Sequence, residues 1–142
     1  TYPATPARVF AAFASLEAKN VWADDPDYVS DGGDTVFEFR EGGRESFGGI
    51  APDGTPYRYD GRYYDIVPDR RIVYSYEMYE ASTRISVSLT TIELMPDGDG
   101  THLRHTEQGA FLDGHDDHRE QGIAEQLDGL DAFLRAENGS VR

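Results

Sequence analysis

The sequence predicts an α+β fold in which a curved antiparallel sheet surrounds a long C-terminal helix, with two short helices ahead of the sheet. Three observations predict it. Apolar residues recur at helical spacing up to Trp22, the period changes to two between Thr35 and Gln108, and helical spacing returns from Ile123 to Leu134.

The first helix follows from Thr5-Pro6-Ala7-Arg8-Val9-Phe10-Ala11-Ala12-Phe13, where a hydroxyl residue precedes a proline and apolar side chains then fall three and four apart. Ser15 caps a second, shorter helix through Leu16, Ala18 and Val21 to Trp22, and the acidic, turn-rich stretch from Asp24 to Asp34 ends that periodicity. Six strands follow: Thr35 to Arg40, Arg44 to Ile50, Tyr57 to Ile66, Ile72 to Met78, Thr83 to Met95 and Thr101 to Gln108. The turns between them are written in Glu41-Gly42-Gly43, Pro52-Asp53-Gly54-Thr55-Pro56, Pro68-Asp69 and Pro96-Asp97-Gly98-Asp99-Gly100. Gly48-Gly49 falls inside a strand, where it permits a bulge or bend. Asp113 or Asp116 caps the last helix, whose Ile123, Leu127, Leu130 and Leu134 form one apolar stripe facing the sheet. Asn138 to Arg142 reads as a loose end.

A chain of 142 residues fits a single domain over residues 1–142, with its core between 3 and 137. Acidic residues number 27 against 13 basic ones, a net charge of −14 that repels polyanions and argues against nucleic acid and anionic membrane surfaces as partners. With no cysteine there are no disulfides, thiolate nucleophiles or cysteine zinc sites. No apolar run approaches the roughly 20 residues of a membrane span. No signal-peptide pattern opens the chain, and Thr1 in place of a methionine points to a trimmed N-terminus. The expected location is the cytoplasm.

An aromatic stripe is the first candidate for function. Tyr57, Tyr59 and Tyr63 share a strand face with Gly61, Ile72, Tyr74, Tyr76 and Met78 share another, and Phe37 and Phe39 form a similar pair. Any one of these rings can simply fill a core. Nine tyrosines against seven phenylalanines nevertheless make a hydroxyl-rich set, and a buried phenol needs a partner that a purely apolar interior does not offer. A partly wet pocket lined by Trp22, Phe37, Phe39, Tyr63, Tyr74, Tyr76, Met78 and Phe111 meets that need.

The second candidate is Thr101-His102-Leu103-Arg104-His105-Thr106-Glu107-Gln108, in which Leu103, His105 and Glu107 point to one side. If that side faces inward, His105 and Glu107 enter the pocket together, as a proton-handling pair or as a structural one. Asp113-Gly114-His115-Asp116-Asp117-His118 carries metal-ligand residue types, but carboxylates at a helix start cap free N–H groups, and ligands crowded within one short run do not close a tetrahedral site. The expectation is no metal and no cofactor. The acidic stretch around Asp24, Asp25, Asp27, Asp31 and Asp34 reads as a solvated loop, its spacing unlike an EF-hand. No glycine loop joins a strand to a helix, no serine occupies a nucleophile elbow, and lysine occurs once, at Lys19.

Pro6-Ala7-Arg8-Val9-Phe10 ahead of Trp22, the run Gly61-Arg62-Tyr63-Tyr64-Asp65-Ile66-Val67-Pro68-Asp69-Arg70-Arg71-Ile72-Val73-Tyr74-Ser75-Tyr76, and Gly100-Thr101-His102-Leu103 leading to Gly109-Ala110-Phe111 resemble the START-like (SRPBCC) superfamily. Within it they are most similar to small bacterial domains related to the activator of the heat-shock chaperone ATPase, from about Pro3 to Leu134. The resemblance implies a helix-grip (START-like, Bet v-like) fold with a hydrophobic cavity between sheet and helix. Its members include lipid and hormone binders, polyketide aromatases and cyclases, and chaperone-activating domains. Two departures stand out. Many relatives carry Gly-Trp where this chain has Gly122-Ile123, and the family's first strand precedes the first helix, whereas only Thr1 and Tyr2 precede Pro3 here.

The resulting expectation is a non-catalytic domain that binds a small hydrophobic or aromatic molecule in an internal cavity, with His105, Glu107 and tyrosine hydroxyls setting its orientation. The alternatives are a cyclase- or isomerase-type enzyme using Glu107 and His105, and a chaperone-ATPase-activating interaction module. A cationic or hydroxylated aromatic guest fits this acidic chain better than a carboxylate, and a homodimer through an edge strand or the helix is compatible with it.

Overall fold

A computed structural model describes residues 1–25, 27–113 and 116–140, the side chains of 116–119 and 137–140 excepted. The residue capping the last helix and, within the carboxylate and histidine cluster, Gly114, His115 and the side chains of Asp116 to His118 lie outside what is described.

Both short helices form where their caps place them. In α1 (Pro6–Ala14) the Thr5 hydroxyl accepts from the Arg8 N–H, and in α2 (Leu16–Trp22) the Ser15 hydroxyl accepts from the Ala18 N–H at 3.2 Å, each satisfying a donor that the first helical turn leaves open. The strands are β1 (Val29–Ser30), β2 (Val36–Phe37), β3 (Arg44–Ile50), β4 (Pro56–Val67), β5 (Arg71–Glu80), β6 (Thr83–Asp97) and β7 (Gly100–Phe111). They form one antiparallel sheet in the order β1-β3-β4-β5-β6-β7, with β2 also pairing β3. The helix α3 (Asp116–Ser140) closes the chain.

Three details differ from expectation. The described residues form seven strands rather than six, because Val29 and Ser30 in the acidic loop pair with Ile50 and Gly49. The strand expected over Thr35 to Arg40 pairs only at Val36 and Phe37; beyond them Glu38 N–H still reaches the Arg44 carbonyl at 2.8 Å, and then Arg40 and Gly43 close a tight reversal. Strand β6 continues through Pro96 to Asp97, which shortens the last hairpin loop to Gly98 and Asp99. Tyr2 makes a two-way backbone bridge to Thr101, with N···O distances of 2.7 and 3.0 Å, so that the residue before Pro3 lies against the β7 edge.

Apolar burial concentrates at one end of the sheet, where Val9, Ile72, Ile92, Leu130 and Leu134 are almost wholly enclosed. Leu130 and Leu134 are 0% exposed, and each contributes up to about 2–3 kcal/mol by burial, enough to seat the C-terminal half of α3 on this core. Helices α2 and α3 approach so closely that a Cβ on Gly129 would stand 2.4 Å from the Trp22 carbonyl oxygen. Only glycine permits that contact.

Candidate functional site

The sheet's register assigns each side chain to a face. A bulge between Tyr63 and Asp65 shifts the alternation of β4, so that Ile66 joins Tyr63 on the inner face, where Tyr63 opposes Tyr74 and Ile66 opposes Ile72. Rows across the inner face then read Ile66, Ile72, Ile92 and His105; Tyr63, Tyr74, Thr90 and Glu107; Glu45, Gly61, Tyr76, Ser88 and Gly109; and Phe47, Tyr59, Met78, Ser86 and Phe111. Strand β6 divides this face. Ile92 and Leu94 supply its apolar half, while Ser86, Ser88 and Thr90 supply three hydroxyls with 0%, 2% and 0% exposure.

Glu107 stands at the boundary between the halves. Its carboxylate accepts from the Tyr76 hydroxyl at 2.8 and 2.9 Å, one distance to each oxygen, and from the Thr90 hydroxyl at 3.1 Å. His105 shares its strand face but is not among its hydrogen-bonding partners. Burial holds the His105 imidazole below its ordinary pKa, with the Glu107 charge opposing that shift, so the ring favours its neutral form. The Ser88 Oγ atom is buried and has no hydrogen-bond partner among the described residues. Such an atom costs about 1–3 kcal/mol unless something satisfies it.

Two glycines let large rings lie flat on this hydroxyl-rich half. A Cβ on Gly61 would meet the Tyr59 ring at 3.0 Å, and one on Gly109 would meet the Phe111 ring at 3.0 Å and Ser88 Oγ at 2.9 Å. Tyr59 stacks between Phe47 and Tyr76, with centroids at 4.9 and 5.0 Å and interplanar angles of 13° and 22°. Burial pushes the Tyr59 phenol well above its ordinary pKa, and those of Tyr63 and Tyr74 likewise, so all three stay protonated donors. Phe47, at 44% exposure, brings this ladder of rings to the surface.

The sequence-predicted residues separate into two groups. Trp22 packs edge-on to Phe13 and donates its indole N–H to the Ala12 carbonyl at 2.9 Å, a structural role. Phe37 and Phe39 stack on each other, and Phe39 meets Phe10 and Tyr63 edge-on. These rings close over Glu45, whose carboxylate meets Lys19 Nζ at 2.6 Å and accepts from the Tyr63 hydroxyl at 3.4 Å, while the same ammonium lies 5.6 Å from the Phe37 ring centre. Tyr76, Met78, Glu107 and Phe111 gather instead on the hydroxyl-rich half, and Tyr74 bridges the two groups at 5.8 Å from Tyr63 and 6.2 Å from Tyr76.

The space between the sheet and α3 near Trp22 is small and partly open. It holds about 30 Å³ among Phe13, Trp22, Tyr74, Ile92, His105 and Leu127, room for about two waters rather than the 300–1,000 Å³ of a typical ligand pocket. Of the rings expected to line a hollow, Trp22, Tyr74 and His105 border this space. A wider hollow of about 480 Å³ opens to solvent beside it, sharing His105 and Leu127, among Tyr2, Leu103, Asp128 and Asp131. There Tyr2 donates to the Leu127 carbonyl at 3.2 Å, and burial, aided by Asp131 and Asp128, pushes its phenol up to about 12.

Ser86, Ser88, Thr90 and Phe47 line the hydroxyl-rich half without having been expected there from the sequence, and Tyr59 was expected only as part of the aromatic stripe. One signal was available: Ser86, Ser88 and Thr90 alternate ahead of Ile92 and Leu94, a polar half-strand running into an apolar one. No metal-binding group of three His, Asp or Glu residues occurs among the described residues, and no helix among them is long and apolar enough to cross a membrane.

An open antiparallel sheet of seven strands, two short N-terminal helices and a long C-terminal helix define a helix-grip α+β domain. Its inner face carries a buried carboxylate, three buried hydroxyls and a stack of rings. Residues 3–135 match the family described as activator of Hsp90 ATPase homolog 1-like protein, and the chain belongs to that family, part of the START-like (SRPBCC) superfamily. Among solved structures, a protein from Rhizobium loti is 46% identical over 93% of this chain and 90% of its own, with a TM-score of 0.83. One from Rhizobium leguminosarum is 42% identical over 95% and 90% with a TM-score of 0.87, and one from Chromobacterium violaceum is 26% identical over 94% and 91% with a TM-score of 0.80. No curated protein matches the chain.

Proposed function

We propose that the chain is a small-molecule-binding domain whose guest lies on the hydroxyl-rich half of the inner face, against Tyr76, Ser88, Glu107 and Phe111. The observation that carries this reading is the burial of three hydroxyls in one row of β6, one of them unpartnered, beside a carboxylate held by neutral donors. A core selected only for stability gains nothing from such a row, because apolar side chains of similar size avoid the desolvation cost. A guest bearing a donor or acceptor satisfies Ser88 and completes the shell of Glu107, while its apolar body covers the rings at about 25 cal/mol per Å². In this reading the guest lies away from the small space near Trp22, whose volume of about 30 Å³ is well short of a typical ligand pocket.

Proton transfer is the weaker reading. Glu107 is committed to Tyr76 and Thr90 rather than to His105, so the geometry favours a fixed acceptor over a relay. The test is amide chemical-shift mapping with a panel of small aromatic and alicyclic compounds. Shifts gathered at Ser86 to Thr90, Tyr76 and Glu107 to Phe111 are expected. Shifts confined elsewhere, or none at millimolar concentration, overturn the assignment.

A further inference from the structure

The charge inventory of the inner face identifies the class of guest. Arg44, Arg58, Arg62, Arg71, Arg84 and Arg104, the arginines of strands β3 to β7, all take outer-face positions: Arg44 opposes Arg62, which opposes Ser75, while Arg104 and Arg71 both oppose Glu93. Arg58, Arg71 and Arg84 are occupied there by Asp60, Asp65 and Glu77, at 3.2, 2.6 and 3.2 Å. The sole lysine of the chain reaches the inner side from α2, and Glu45 takes it. Glu107 therefore carries no ion pair among the described residues; its bonded partners are the neutral hydroxyls of Tyr76 and Thr90.

A half-buried carboxylate balanced only by neutral donors is an incomplete arrangement. Beside it lies the Tyr76 ring, which Tyr59 backs on one face at 5.0 Å, and aromatic rings attract cations. Ser88 Oγ, buried and unpartnered in the adjacent row, adds an acceptor. The overall charge of −14 draws cations toward the molecule and repels anions.

We propose that the guest is an organic cation, an ammonium group on an aromatic or alicyclic body, with its nitrogen at Glu107 and Ser88 and its body along Tyr76 and Phe111. This rests on the binding function proposed above and narrows it. A charge-assisted hydrogen bond to a carboxylate is roughly twice as strong as a neutral one, and the ring faces add to the preference for positive charge. An anion of the same shape meets Glu107 with no strand arginine on that face to receive it.

The experiment is calorimetric titration of the intact chain with three probes of one shape: phenethylamine, 2-phenylethanol and 3-phenylpropionate. The amine is expected to bind about tenfold or more tighter than the alcohol, with the propionate weakest and the amine's affinity falling as salt rises. In Glu107→Gln, its fold checked by circular dichroism, the amine should fall to the level of the alcohol. The comparison of probes on the unaltered chain decides the matter even if that variant does not fold. Equal or tighter binding of the alcohol or propionate overturns the cationic class and leaves the binding function standing. Absence of binding by all three to millimolar concentration overturns both.

Discussion

Replacing Gly129 by alanine sets two effects of known size against each other. In a helix interior alanine is favoured over glycine by roughly 0.5–1 kcal/mol, through backbone entropy lost on folding. At Gly129 the added Cβ would stand 2.4 Å from the Trp22 carbonyl oxygen, whereas a carbon meets a carbonyl oxygen comfortably at about 3.3 Å. Both atoms belong to backbone or are fixed to it, so no rotamer relieves the clash and α2 must move from α3 by nearly the whole difference. Overpacking of this kind costs typically about 1–3 kcal/mol. The net expectation for Gly129→Ala is a loss of about 1–2 kcal/mol. Gly122 serves as the control, since it sits in the same helix and a Cβ added there would meet nothing within 4 Å, and Gly122→Ala should gain about 0.5–1 kcal/mol. Thermal unfolding followed by helical ellipticity separates them: near this chain length each kcal/mol moves the Tm by about 2–4 °C, so the two variants should diverge on opposite sides of the parent. Gly129→Ala as stable as Gly122→Ala would refute the close approach of α2 to α3.

Lys19→Met should leave Glu45 enclosed without its cation and cost about 2–3 kcal/mol in urea unfolding, less than a fully buried pair because Lys19 keeps 19% of its side chain exposed. Adding Glu45→Gln to that variant should restore part of the loss, and a double variant no better than the single one would show that the pair is not coupled. Trp22→Phe removes the indole N–H from the buried Ala12 carbonyl and should cost about 2 kcal/mol, which thermal unfolding would register; an unchanged Tm would contradict that role. His105, with its folded pKa held below the ordinary value, binds fewer protons folded than unfolded, so stability rises with pH through its titration. That contribution is complete above the ordinary histidine value of about 6.5 and is lost as pH falls toward the lowered one. Urea midpoints of His105→Gln should therefore fall less on acidification than those of the parent, and parallel curves would argue against a buried neutral ring.

Much of the fold is legible in local chemistry. Thr5 and Ser15 announce helix starts because a hydroxyl ahead of an apolar period has one obvious task, and alternation marks β4 to β7 because one face of each is enclosed. Val29 and Ser30 carry no such mark: two exposed residues cannot display a period, and only their pairing to Ile50 and Gly49 makes them a strand. The bulge at Tyr64 is equally silent, although it decides that Ile66 rather than Asp65 faces Ile72. The site was half visible. Tyr76 and Glu107 are found by parity, but their hydrogen bond depends on the sheet register, which parity does not supply. Glu45 escaped because a single acidic residue in a strand ordinarily faces water; its burial depends on Lys19 arriving from α2.

That difference between the two inner-face carboxylates is the point on which structure and function part. Both stand among tyrosines whose phenols remain protonated and can donate, so either could have served as an acceptor for a guest. At Glu45 the fold supplies a cation of its own, and Phe37 and Phe39 gather beside it, which makes that end a latch between α2 and the sheet. At Glu107 the described residues supply only hydroxyls, keep every strand arginine on the opposite face and leave Ser88 unbonded. A second internal lysine there would have been the simpler way to stabilise the sheet. Its absence from the described inner face is what sets Glu107 apart from Glu45 and makes it the acceptor in the cation site proposed above.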